Sequence, residues 1–228
     1  MCGRFTLRTP TADLVEIFEV ARSFELTPRY NIAPTQPVAA VREVDGRREL
    51  VQLRWGLLPS WSEASLAGPP MINARAETAA TRPAFRHAFQ KRRCLIPADG
   101  FYEWQAVEGG PKQPFLITLK DERPFAFAGL WERCRAPDQS TVESCTILTT
   151  DANDRVRELH DRMPVILSPD HYGPWLDPHI EDPAALQSLL TPYPSDEMRL
   201  RPVSPRVNNA RNDDPDCILP PQTQNTLL

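Results

Sequence analysis

The chain has 228 residues, enough for one large domain or two small ones and enough to bury a sizeable core without staples. Hydrophobic residues make up 41% and charged residues 25%, and no apolar run approaches the roughly 20 residues of a membrane helix, which excludes a helical membrane span and leaves a soluble globular protein as the expectation. The net charge of −4, from 26 Lys and Arg against 30 Asp and Glu, argues against an overall basic nucleic-acid binder; such a site would have to be a local basic groove on an acidic body.

The opening MCGRF lacks the charged and apolar regions of a signal peptide, so a cytoplasmic protein is expected. TADLVEIFEV carries a capping candidate at Thr11 and apolar residues at Leu14, Ile17 and Phe18, which predicts an amphipathic helix. ELVQLRW alternates, with Val51, Leu53 and Trp55 on one face of a half-buried strand. MINARAET alternates too, which would put Asn73, Arg75 and Glu77 on one face. CLIPADGFYEW predicts a strand, a tight turn at Asp99-Gly100 and a second strand. PFLITL, PFAFAGLW and SCTILTT are further short β-rich runs; ANDRVREL predicts a short helix, MPVIL a strand and DPAALQSLL a third helix. With 25 prolines against 9 glycines, long helices should be scarce and rigid loops many. The expected class is α+β: a β-rich, barrel-like antiparallel sheet with flanking helices, in a single domain over residues 1–212. Residues 213–228 are polar and weakly periodic and are expected to form a flexible tail.

Five cysteines (Cys2, Cys94, Cys134, Cys145, Cys217), without CxxC spacing, point to neither a disulfide framework nor a zinc site. Cys2 stands apart. Initiator methionine is usually excised ahead of a small residue, and loss of Met1 would leave an α-amine and a thiol on one residue. A thiol titrates near about 8.5 and an α-amine near about 7.7–8.0, so each has a useful nucleophilic fraction near neutrality. Such an aminothiol condenses with an aldehyde to an imine, and the sulfur then closes a stable thiazolidine ring. An internal cysteine can form only a reversible hemithioacetal.

Three other stretches carry candidate chemistry. Asn73, Arg75 and Glu77 would set an amide, a guanidinium and a carboxylate side by side, although a solvated strand face with an Arg–Glu pair would look the same. Glu103 sits between Tyr102 and Trp104, where partial desolvation would suit a carboxylate to proton transfer; an exposed strand glutamate is the plainer reading. His160, next to Asp161 and Arg162, is a natural proton shuttle if it is not structural. His87, His171 and His179 are read as structural.

MCGRF, YNIAPTQ, RWGLLPSW, INARAET, ADGFYEW and LHDRMPVIL follow one another in order, and with them the sequence resembles the SOS-response-associated peptidase (SRAP) family of abasic-site-processing proteins, from Cys2 to about residue 212. The resemblance implies a barrel-like β fold with flanking helices. It implies a protein that senses abasic sites in single-stranded DNA and traps them as a covalent cross-link on Cys2, protecting the lesion during the DNA damage response. Lyase and autopeptidase activity are further expectations. It implies catalytic roles for Cys2 as nucleophile, Asn73 as positioner, Glu103 as proton exchanger with the amine and His160 as proton donor to the sugar ring oxygen. It implies phosphate contacts from Arg4, Arg75 and Arg162, and a lesion or strand pocket lined by Pro34, Trp61, Trp104 and Thr149. Some relatives have two adjacent tryptophans where this chain has Trp61-Ser62, which puts the stacking platform in question. No cofactor and no metal are expected. The expected partner is single-stranded DNA with abasic sites and no membrane, and the protein is expected to be a monomer, cytoplasmic and nucleoid-associated when bound to DNA. Two alternatives stay open: an N-terminal-cysteine amide hydrolase, and a non-covalent single-stranded DNA-binding module.

Overall fold

Short alternating segments set most of the architecture. The computed structural model describes residues 2–62, 70–136 and 138–222, and Met1 lies outside them. The chain runs through β1 (Phe5–Leu7), α1 (Thr11–Ile17), β2 (Val20–Arg22), β3 (Arg29–Ile32), β4 (Pro37–Val44), β5 (Arg47–Trp55) and β6 (Asn73–Arg75). Then come α2 (Ala76–Ala79), α3 (Arg86–Lys91), β7 (Arg93–Ala98), β8 (Gly100–Gln105), β9 (Gln113–Leu119), β10 (Phe125–Arg135) and β11 (Thr141–Asp151). Last are α4 (Asp154–Arg157), β12 (Arg162–Pro164), β13 (Ile166–Leu167), α5 (Pro169–Leu176), α6 (Pro183–Ser188) and β14 (Met198–Pro202).

The fold is α+β, with a closed barrel at its centre. Strands β11, β10, β7, β4 and β5 are neighbours in that order, and β5 pairs back onto β11 to close the ring. The closing pair is parallel, with Ser144 opposite Arg54 and Cys145 opposite Trp55; β6 on β11 and β2 on β5 are parallel as well, so the β structure is not antiparallel throughout. A second, five-stranded sheet has the order β14-β9-β8-β1-β3. The two share one core: Phe5 of β1 packs edge-on against Trp55 and Phe127 of the barrel, at centroid distances of 5.2 and 5.7 Å.

Asp99 marks where the chain leaves one sheet for the other. β7 belongs to the barrel and β8 to the second sheet, so the turn at Asp99-Gly100 is a corner between the two sheets. The Asp99 backbone N–H donates to Thr6 O at 2.8 Å, and its buried carboxylate accepts from the backbone N–H groups of Arg8 and Thr9 and from the Thr9 hydroxyl. A Cβ on Gly100 would come within 2.8 Å of Ile117 O, which explains glycine there.

Other local expectations need correction. Helix α1 begins at Thr11 itself with Pro10 at the N-cap position; the Thr11 hydroxyl instead accepts from Leu26 N–H at 2.9 Å. Strand β6 ends at Arg75, so Glu77 sits on α2 and does not share a strand face with Asn73 and Arg75. The stretch read as a tail from residue 213 is packed as far as it is described. Asp213 accepts from the backbone of Tyr30 and Asn31 and pairs with Arg29, and Cys217 is buried. Residues 223–228 lie outside the described residues. No described helix is long and apolar enough to cross a membrane.

Candidate active site and nucleic-acid interface

Of the candidate catalytic residues, Cys2, Asn73 and Glu103 lie where the barrel and the second sheet adjoin. Cys2 lies three residues before the start of β1, whose pairing with β8 continues as Tyr102 N–H donating to Arg4 O at 3.0 Å. That register carries Glu103 alongside the start of the chain. From the barrel side, β6 lies parallel to β11, and the Asn73 amide Nδ2 donates to the Cys2 carbonyl oxygen at 2.8 Å. One hydrogen bond thus ties the two sheets together at the candidate nucleophile.

Cys2 is fully buried, its sulfur 3.9 Å from Arg4 O, and Glu103 is 5% exposed. Burial pushes the Cys2 thiol well above its ordinary range, and the neighbouring Glu103 carboxylate pushes it further, so the sulfur keeps its proton at neutral pH. The Asn73 Oδ1 is buried and accepts no hydrogen bond among the described residues, which leaves a polar acceptor beside Cys2.

His160 follows α4, which is capped by Asn153 accepting from Val156 N–H at 2.9 Å. Its Nδ1 lies 2.9 Å from Arg162 N and 2.8 Å from the Asp161 carboxylate. One nitrogen cannot accept from an N–H and donate to a carboxylate at once. The neutral ring accepts from Arg162 and carries its proton on Nε2; the ring protonated at Nδ1 turns that proton to Asp161. A backbone N–H and a carboxylate thus meet the same ring nitrogen.

The expected DNA contacts divide sharply. Arg75 is exposed and makes neither a hydrogen bond nor an ion pair among the described residues. Arg162 is clamped: Nη1 meets Glu77 at 2.8 Å and Asp151 at 2.7 Å, while Nη2 meets Glu77 at 3.0 Å and Thr149 O at 2.6 Å. Burial pushes the Glu77 carboxyl up, but the hydrogen bonds and charge of Arg162 outweigh it and hold it below the usual range. The charge of Arg162 is thus already balanced, and a phosphate would have to displace a carboxylate.

Arg4 is tied inward, its Nη1 donating to Asn31 Oδ1 and Val207 O, both at 2.9 Å, with the guanidinium over Trp104. Trp104 is half-buried; its Nε1 donates to Asn208 Oδ1 at 2.7 Å and its ring tilts against Tyr102. Trp61 is 71% exposed, on a loop whose next residue is fixed by Ser62 Oγ donating to Pro59 O and by the Cys134 thiol donating to Ser62 O, each at 2.7 Å. Pro34 is half-buried on the β3–β4 connection. Thr149 is fully buried in β11 between Arg75 of β6 and Pro164 of β12, so its side chain belongs to the wall.

A hydrogen bond therefore joins Asn73 to Cys2, the Glu103 charge acts on the Cys2 thiol, strand register sets Thr149 opposite Arg75, and the Arg162 guanidinium reaches Thr149 O. Sequence reasoning missed Asn31, Asn208, Glu77 and Asp151 as partners of these groups. Asn31 had a signal: an amide within the β run RYNI, here fully buried, with Nδ2 donating to the carbonyls of Val207, Asn209 and Asn212. Among the described residues, no group of three or more His, Cys, Asp or Glu is placed to hold a metal ion.

Comparison with known proteins matches residues 1–210 to the family described as SOS response associated peptidase (SRAP). The chain is 43% identical over 221 residues to the abasic site processing protein YoqW of Bacillus subtilis, covering 96% of this chain and 99% of that one. It is 32% identical over 231 residues to the abasic site processing protein YedK of Escherichia coli, covering 96% and all of the two chains respectively (100% of the latter). Among solved structures, a Bacteroides thetaiotaomicron protein superposes with a TM-score of 0.86 at 24% identity, over 97% of this chain and 100% of that one, which shows the fold alone.

Proposed function

The chain belongs to the SOS response associated peptidase family, and from that premise we propose that it processes abasic sites in single-stranded DNA by capturing them covalently on Cys2. The observation that carries this reading is the placement of Cys2 between the Asn73 amide and the Glu103 carboxylate. Loss of Met1 would give Cys2 a free α-amine beside its thiol.

An abasic deoxyribose exists as a closed ring and an open aldehyde. His160 donates a proton to the ring oxygen as the ring opens. The Cys2 amine adds to the aldehyde carbon, and water leaves as the imine forms. The sulfur then bonds to that same carbon while its proton passes to nitrogen, closing a thiazolidine. The net change is the loss of one water. Nitrogen bonds to the carbon first and sulfur second. Glu103 relays the protons the amine gains and loses, and general acid–base help of this kind is typically worth about 10²–10⁴ in rate. Asn73 fixes the Cys2 carbonyl and so the direction of the amine.

Arg75 supplies a free phosphate contact, Arg4 and Arg162 are further phosphate contacts, and Trp61 offers a stacking surface for a base. Pro34, Trp104 and Thr149 shape the surrounding wall. The active unit is a monomer, working in the cytoplasm and along the nucleoid. The deciding experiment is intact-mass spectrometry of protein lacking Met1 after incubation with an abasic single-stranded oligonucleotide. The expected product has the mass of protein plus DNA less one water and is lost in Cys2→Ala. No adduct, or an adduct on Cys2→Ala, overturns the reading.

A further inference from the structure

Residues 73–93, NARAETAATRPAFRHAFQKRR, contain six Arg and Lys and a single acid, on a chain whose net charge is −4. Four of the seven charges are accounted for by the fold. Arg93 is buried and donates to the carbonyls of Phe89, Gln90, Trp175, Asp177 and Ile180. Lys91 pairs with Glu181, Arg92 with Glu132, and the lone acid Glu77 is consumed by Arg162. Arg75, Arg82 and Arg86 remain, all exposed, and none makes a side-chain hydrogen bond or an ion pair among the described residues.

Some other exposed arginines are paired, whereas Arg47, Arg135, Arg155 and Arg211 also lack a side-chain partner among the described residues. Arg22 meets Glu49, Arg133 meets Glu143 and Arg206 meets Asp214. Arg86 N–H donates to Arg82 O at 2.8 Å, so Arg82 and Arg86 stand one helical turn apart on one face. Two like charges at that spacing repel and destabilise the turn, and no carboxylate among the described residues pairs with either. Phe85 and Phe89 are buried in the core and lock the orientation of the segment, so the arginine face stays outward. Arg75 is two residues from Asn73, which holds Cys2; the arginine series thus starts at the candidate active site and leads away from it.

We propose that Arg82 and Arg86 continue the phosphate track begun by Arg75 and bind the backbone of the DNA strand flanking the lesion. This rests on the capture of abasic DNA proposed above. The guanidinium fork matches phosphate geometry, and an exposed pair without carboxylates offers it undiminished.

The test is the non-covalent affinity of the Arg82→Ala/Arg86→Ala double variant for two abasic oligonucleotides, one ending close to the lesion and one extending well past it. The expected result is a loss of about tenfold at ~0.1 M salt for the longer strand only, with the slope of log K against log salt shallower by about 1.4, as two lost phosphate contacts require. Arg82→Lys/Arg86→Lys should restore most of the affinity. A wild-type protein that forms the adduct, with a double variant unchanged in affinity and slope on the longer strand, overturns the ridge and spares the capture reading. Salt-sensitive binding that depends on Arg82 and Arg86 without any adduct supports the ridge and overturns capture.

Discussion

The Asn73 side-chain amide donates a 2.8 Å hydrogen bond to the backbone carbonyl of Cys2, joining the barrel to the strand that opens the second sheet. Breaking it leaves a carbonyl without its partner at a fully buried residue, a loss of about 1–3 kcal/mol. Asn73→Ala should therefore lower the urea midpoint of unfolding and slow covalent capture together. Unchanged capture kinetics would remove Asn73 from positioning the nucleophile.

Glu103 acts on Cys2 through its charge. Its carboxylate raises the thiol pKa, so Glu103→Gln should lower it. The thiol then releases its proton at lower pH, and thiol alkylation followed against pH should shift its rise toward acid. Capture itself should slow by about 10²–10⁴ as the proton relay is lost. An alkylation profile that stays in place would contradict the electrostatic coupling.

The two tryptophans proposed for the DNA surface should respond differently. Trp61 is 71% exposed, and Trp61→Ala should weaken binding of single-stranded DNA by about 1–3 kcal/mol while leaving stability within about 0.5 kcal/mol. Trp104 is bonded to Asn208 and packed on Tyr102, so Trp104→Ala should lower the melting temperature as well. Fluorescence titration and thermal melts separate the cases; equal stability losses would refute the distinction.

Burial raises the thiols of Cys2, Cys94 and Cys145. A folded-state pKa above the unfolded value means the native state keeps a proton that the unfolded chain releases. Stability from these groups is complete below the unfolded thiol value of about 8.5 and falls as pH rises beyond it, by up to about 1.4 kcal/mol per pH unit for each thiol. Urea unfolding across the alkaline range should show that decline, and Cys94→Ala should make it shallower. An identical slope in the variant would show that Cys94 ionises as freely folded as unfolded.

Sequence alone determined the elements whose pattern is local and the chemistry whose partner is in the same residue. Alternation gave ELVQLRW as β5, and the apolar spacing of TADLVEI gave α1. The aminothiol of Cys2 follows from its place in the chain and from valence, and six ordered motifs were enough to place the family. Sequence could not determine which strand lies beside which. Pairing β5 with β11 joins residues some ninety positions apart, and that long-range pairing is what closes the expected barrel-like sheet into a ring. The same limit governed charge. Arg75 and Arg162 look alike in the sequence, but two carboxylates reach Arg162 while none among the described residues pairs with Arg75. Side chains on separate strands become partners only when the backbone brings them within a few ångströms, and that distance is fixed by tertiary packing.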